Sequence, residues 1–310
     1  MIQRGERTHG VCDESRGALR ALEELALEAP DEARELCLGE VSGASPMSQA
    51  LRVVQARARQ RLKAPEEWVR VGWEWVRRAR LSGDPGFYLN VASCADEALR
   101  VSPRYAPARE LSALVLMNGH RFDQARREVE QILEADPQNP IALGTLSDAL
   151  LELGRFDEAV DAAQRSADVK PGSVAYARAS YFRWLTGDTA EAKHFIRLAL
   201  TGRDRRDPEP TAWTFVEAAK IFWHEADYAG ADAVLEEALR WVPDYPPALV
   251  ARGRVALSQR QPEGAIAFLE KAYRAQPLPE TAWLLGDARA MRGDAAGADA
   301  AFQRVVQAGR

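Results

Sequence analysis

Proline spacing constrains this chain more than any other feature. Pro103, Pro137 and Pro171 stand 34 residues apart, and so do Pro243 and Pro277. The interval from Pro171 to Pro243 is 72, two periods plus four. A second marker keeps the same period. Gly154-Arg155-Phe156-Asp157-Glu158-Ala159 echoes His120-Arg121-Phe122-Asp123-Gln124-Ala125 from 34 residues upstream. Looser echoes start at Gly187, Ala226, Arg260 and Gly293, and each reaches an alanine at its sixth place: Ala192, Ala231, Ala265 and Ala298. Repetition at this period marks one supersecondary unit copied in tandem, and no copy can bury both its faces without neighbours.

Within each copy the residue types describe a helical hairpin. A first apolar-periodic helix runs to a Gly or polar elbow, and a second opens on acidic residues, which suit a helix N-terminus. The small Ala of each echo lets the two helices approach. About a dozen residues later a proline ends the unit, because its ring and missing N–H cannot continue a helix. Ala, Leu, Arg and Glu recur throughout, whereas alternating runs of β-branched residues are missing. The expected fold class is all-α, a solenoid of stacked antiparallel helix hairpins.

The 34-residue period, a small residue in helix A, Ala early in helix B and Pro at the close resemble the tetratricopeptide repeat (TPR) family. That resemblance implies a right-handed superhelix and a non-catalytic scaffold or adaptor. Copies are expected at 106–139, 140–172, 173–206, 212–245, 246–278 and 279–310, with a divergent copy at about 64–105. Residues 64–310 thus form the array. Upstream, Glu14–Ala29, Asp31–Glu40 and Pro46–Leu62 read as three helices of a cap spanning 1–63, since a bare solenoid end exposes apolar surface. The last copy carries Trp283, Leu285, Gly286, Ala298 and Phe302 and lacks the usual polar closing helix, so self-association through this hairpin is an expectation. A five-residue insertion, Asp207 to Thr211, separates two copies and overlaps the charged loop Asp204 to Pro210.

The resemblance also places helix A on the concave face. Its register there projects Arg178, Tyr181 and Trp184, then Trp213, Lys220, Trp223 and His224, then Arg254, then Trp283. Trp184 and Trp223 hold equivalent positions. Aromatics with Lys and Arg are what a peptide-anchoring groove needs, because such residues dominate binding hot spots; the competing role for these rings is packing between repeats. The two-carboxylate clamp for chaperone tails is not expected. Its Asn position holds Leu114, Asp148, Tyr181, Lys220, Arg254 or Asp287.

Other functions find less support. Residues 51–80 carry nine Lys/Arg against three Glu. That excess supports a second reading, a helical-repeat nucleic-acid binder, but the formal net charge of −5 speaks against it and nucleic acid is not the expected partner. His224-Glu225-Ala226-Asp227-Tyr228 begins like a zinc-protease helix, yet Tyr228 stands where the second ligand belongs. No phosphate-loop or nucleophile-elbow motif occurs, and His9, His120 and His194 have no evident catalytic partner. No metal and no cofactor is implied. Cys12, Cys37 and Cys94 are odd in number and form no C-x-x-C pair, which argues against disulfides and for a reducing compartment. A polar N-terminus without a signal-like core and the lack of an 18-residue apolar run complete the expectation of a cytoplasmic chain without a membrane span.

Overall fold

The computed structural model describes residues 30–308, in which all regular structure is helical. The predicted helix Glu14–Ala29 and Cys12 lie outside the described residues. Four helices open the described chain: α1 (Pro30–Cys37), α2 (Pro46–Gln60), α3 (Pro65–Ser82) and α4 (Phe87–Val101). Six repeat hairpins follow. These are α5 (Ala106–Asn118) with α6 (Phe122–Ala135), α7 (Pro140–Glu152) with α8 (Phe156–Val169), and α9 (Ser173–Leu185) with α10 (Thr189–Ala199). Next come α11 (Glu209–His224) with α12 (Tyr228–Trp241), α13 (Pro246–Ser258) with α14 (Pro262–Ala275), and α15 (Pro279–Met291) with α16 (Ala295–Ala308). The fold class is the expected all-α solenoid.

Two small positions make each hairpin possible. The alanine of the echo is buried in all six copies: Ala125, Ala159, Ala192, Ala231, Ala265 and Ala298. Facing it on helix A stand Ala113, Ser147, Ser180, Ala219, Gly253 and Gly286, all buried as well. Where the facing residue is serine, its hydroxyl donates to the carbonyl of that alanine: Ser147 to Ala159 at 2.8 Å and Ser180 to Ala192 at 2.7 Å. Where it is glycine, a large side chain fills the space. A Cβ on Gly253 would lie 2.5 Å from Leu269 Cγ, and one on Gly286 would lie 2.2 Å from Phe302 Cε1.

Each elbow is a left-handed helix stop. His120, Gly154, Gly187, Ala226, Arg260 and Gly293 all have φ between 55° and 85°. The next amide reaches back five residues to close the turn, as in Arg155 N–H to Leu150 O at 2.9 Å and Gln261 N–H to Ala256 O at 2.9 Å, which is the Schellman pattern. The second helix then starts on an acidic cap in three copies: the side chains of Asp188, Asp227 and Asp294 accept from the amides of Glu191, Gly230 and Gly297. The marker prolines Pro103, Pro137, Pro171, Pro243 and Pro277 each lie two residues beyond the end of a helix.

The described residues form two compact units, one of residues 30–79 and 85–159, the other of residues 80–84 and 160–308. The core of the first holds Leu51, Trp68, Val71, Trp75, Leu111 and the pair Cys37 and Cys94. That pair is a disulfide, completely buried, between α1 and α4. This corrects the expectation of reduced cysteines: the partners are 57 residues apart and share no motif, and only the packing of α1 on α4 joins them.

Around the disulfide, an irregular stretch is held by its carbonyls. Asn90 Nδ2 donates to Leu36 O (2.7 Å), Trp75 Nε1 to Cys37 O (2.9 Å), Arg59 Nη2 to Leu38 O (3.0 Å) and Gln55 Nε2 to Gly39 O (3.0 Å). Arg52 Nη1 takes both Val41 O and Gly43 O at 2.9 Å. Residues 36–43 are thus satisfied by side chains of α2, α3 and α4 rather than by a ladder of their own, which is how a buried non-helical segment meets its hydrogen-bond requirement.

In the second unit, the insertion is partly helical. The projected copy begins at 212, but α11 starts three residues earlier at Glu209, because Pro210 fits a first helical turn that lacks amide partners anyway. Glu209 is buried there and accepts from Tyr245 Oη at 2.6 Å.

Candidate functional site

The nine projected residues all fall in the second unit, on the A helices α9, α11, α13 and α15. They do not play one role. Trp184 is half-buried against Ala192, Ile196, Ala218 and Ile221, and so wedges between consecutive hairpins. Trp223, its equivalent one copy later, is half-buried against the core of α11–α13, and its Nε1 donates to Ser258 Oγ at 2.8 Å. Between these two rings sits His224, solvent-exposed, 4.9 Å from Trp184 and 4.8 Å from Trp223 by ring centroids. Tyr181 extends the row by stacking on Trp184 at 5.7 Å with 23° between planes. The result is a continuous ladder, Tyr181–Trp184–His224–Trp223, closed by the hydroxyl of Ser258.

Three aromatics are open to solvent: Tyr181 at 43%, Trp213 at 44% and Trp283 at 55% of their area. Trp283 leans edge-on against Phe302, 5.6 Å away. On α9, exposed Val174, Tyr181 and Leu185 recur at the spacing of one helical stripe, which half-buried Arg178 shares.

The projected cations are engaged within the chain. Lys220 Nζ bonds Glu217 Oε1 at 2.7 Å, one turn away on α11. Arg254 pairs with Glu280 across to α15. This face therefore offers apolar and aromatic area beside paired charges rather than free cations.

The basic segment 51–80, which lies in the first unit up to residue 79, is largely used for its own folding. Arg52 and Arg59 hold the carbonyls of 38–43, and Arg77 bonds Glu74. Arg57, Arg61 and Arg70 all converge on one oxygen, Glu67 Oε1, at 3.3, 3.4 and 2.9 Å. Glu67 is completely buried beneath them. Burial works to raise its pKa, but the Arg70 hydrogen bond and the charges of Arg57, Arg70 and Arg61 outweigh it and hold the carboxyl below the usual glutamate range. Glu209 goes the other way. Burial pushes its carboxyl up, and the Tyr245 hydroxyl and the Arg80 charge only partly oppose this.

Sequence reasoning did not find the Ser258 acceptor, the Glu67 cluster or the Glu209–Tyr245 pair. Ser258 carries a weak signal, since it directly follows Leu257, the residue that holds the Trp184 and Trp223 position in its own copy. The other two arise from side chains meeting across an elbow or a copy boundary and leave no local mark.

The sequence profile described as Tetratricopeptide repeat matches residues 110–174 and 216–278. Cellulose synthase operon protein C of Pseudomonas fluorescens (strain SBW25) is 25% identical over 222 residues. The match takes in 68% of this chain but only 17% of that protein. Among solved structures, the human IFIT1 dimer with PPP-AAAA superposes with a TM-score of 0.58 at 17% identity, covering 90% of this chain and 72% of its own. PilW, a type IV pilus biogenesis factor, gives 0.54 at 20% identity, with 66% and 92% covered. The Cut9-Hcn1 hetero-tetramer of APC/C gives 0.55 at 16%, with 78% and 46% covered. At such identities the likeness is one of fold. No described helix is long and apolar enough to cross a membrane.

Proposed function

On the premise that the chain belongs to the tetratricopeptide-repeat family, we propose that it is a protein-interaction scaffold that holds a segment of a partner against the A-helix face of its second unit. The observation that carries this is the set Tyr181, Trp213 and Trp283, large rings left 43–55% exposed while buried positions on the same helices are already filled by side chains such as Phe182, Val216 and Leu285. Where such a ring acts as a hot spot, its truncation costs about 2 kcal/mol or more of binding. Trp184 and Trp223 support the site from beneath, by fixing where Tyr181 and His224 stand. Because Lys220 and Arg254 are already paired, the preferred ligand is an apolar, aromatic-bearing stretch rather than a free carboxylate end.

Affinity purification with mass spectrometry tests the reading. The double variant Trp213→Ala/Trp283→Ala should lose the partners held by the wild-type chain while keeping its helicity and melting temperature. An unchanged partner list would sink the proposal.

The disulfide also supports a reading of the compartment. A completely buried Cys37–Cys94 bond supports folding in an oxidising space such as a periplasm or secretory lumen over a reducing one. Maleimide–polyethylene glycol labelling of intact cells, quenched in acid and then denatured, should modify Cys37 and Cys94 only after reduction. Labelling of both without reductant would return the chain to a reducing compartment.

A further inference from the structure

The elbow between α2 and α3 carries more positive charge than the fold requires. Arg57, Arg61 and Arg70 meet on a single oxygen, Glu67 Oε1, while Glu67 Oε2 has no hydrogen-bond partner. One carboxylate oxygen cannot use the five donors that each guanidinium presents. Roughly half of each of these arginine side chains stays in solvent, at 52%, 63% and 49% of its area. Lys63 lies exposed in the turn between them, beside Leu62, which is also exposed. The cluster sets four cations against Glu66 and Glu67 and holds three half-exposed guanidiniums on one carboxylate oxygen. Such an array suits oxyanions, which guanidinium groups bind in pairs of parallel hydrogen bonds.

We propose that the α2–α3 elbow is a docking site for an acidic segment of a partner protein, one bearing two or more closely spaced carboxylates beside an apolar side chain. The geometry already holds one carboxylate, that of Glu67, so the chemistry is present in the fold. Nucleic acid fits less well. The aromatic ring closest in sequence, Trp68, is buried and its Nε1 is committed to Leu62 O at 3.0 Å, so it offers no face for base stacking. A formal net charge of −5 over the whole chain also opposes a long polyanion, while a short acidic stretch meets only the local excess. This site lies in the first unit and is independent of the aromatic face in the second.

The test uses the full chain and a fluorescein-labelled peptide of six glutamates and one leucine, followed by fluorescence anisotropy. Binding should weaken steeply as salt rises, because exposed charges are screened. Arg61→Gln/Lys63→Glu should weaken it by about tenfold or more, since two of the four cations are lost and one is reversed. Arg61→Lys, which keeps the charge but not the planar fork, should weaken binding less than the elbow double variant does. A distant pair, Arg260→Glu/Arg274→Glu, changes net charge at least as much and should leave binding intact. Three results overturn the proposal: no peptide binding at low salt, equal loss in the elbow and distant variants, or tighter binding of an oligothymidylate that displaces the peptide. Circular dichroism checks that each variant is folded. If Arg61→Gln disturbs the Glu67 cluster, Lys63→Glu alone should still reduce affinity measurably, and no reduction there counts against the site.

Discussion

A residue with a Cβ in the left-handed region is strained by about 1 kcal/mol, and three of the six elbows accept that strain, at His120, Ala226 and Arg260. Ala226→Gly should therefore stabilise the chain by up to about 1 kcal/mol, seen as a small rise in melting temperature. The reciprocal change isolates the cause. A Cβ at Gly154 would meet nothing within 4 Å, so Gly154→Ala should destabilise by a similar amount through backbone conformation alone. The two aromatic classes separate in the same experiment. Trp223→Ala removes a packed ring and its bond to Ser258 and should cost about 2–3 kcal/mol, whereas Trp213→Ala should move stability by no more than about 0.5 kcal/mol. Two buried carboxylates predict opposite pH behaviour. Glu67 is held below its ordinary pKa, so its contribution is full above the glutamate range and is lost as pH falls through it. Glu209 is raised, so its contribution is full below that range and fades as pH rises through its folded-state value. Urea midpoints across pH 3–8 should show Glu67→Gln weakening the chain at neutral pH and little at acid pH. In the same series, Glu209→Gln should show a gain that appears only on the neutral side.

At the scale of the helix pair, close approach decides stability. Gly253→Ala would press a methyl onto Leu269, and overpacking of this kind costs about 1–3 kcal/mol. The effect should appear as lost hydrogen-exchange protection in α13 and α14. The helix pairs are also where the sequence was most readable. Ala159 or Ala265 marks its contact without ambiguity, because the need for a small residue recurs at a fixed place and neighbouring copies confirm one another. Pro137 and Pro243 mark helix ends for the same reason. The start of α11 was less readable, since Pro208 and Pro210 look like a loop until the second is seen in a first turn. The aromatic face was half legible. Register placed Trp184 and Trp223 together, but only packing tells a wedge between hairpins from an open ring such as Trp283. The Cys37–Cys94 bond was not legible at all, because it joins a segment outside the repeat to one within it and no period links them.

Considered as a whole, the chain behaves as a series of neighbours, in which a lesion is felt mainly by the hairpins beside it. A melting curve for such an array need not be two-state. Cys37→Ser/Cys94→Ser should remove about 4 kcal/mol from the first unit on the chain-entropy estimate for a bridge across 57 residues. Hydrogen exchange should then accelerate in α1 and around Leu51 and Trp75, while amides of α11–α16 keep their wild-type rates. Equal acceleration throughout would mean that the chain unfolds as one cooperative body.

The disulfide has a mechanical consequence as well. Tension applied to the two ends of the polypeptide passes directly from Cys37 to Cys94 and bypasses α2, α3 and the turn that joins α3 to α4. The chain between the two cysteines, a sequence separation of 57, cannot be drawn out while the bond stands, which hides roughly 190 Å of contour length. In an optical trap, stretching to full extension with and without reductant should differ by about that length. A chain pulled from both ends would thus shield its α2–α3 elbow from loads that unravel the repeats after it.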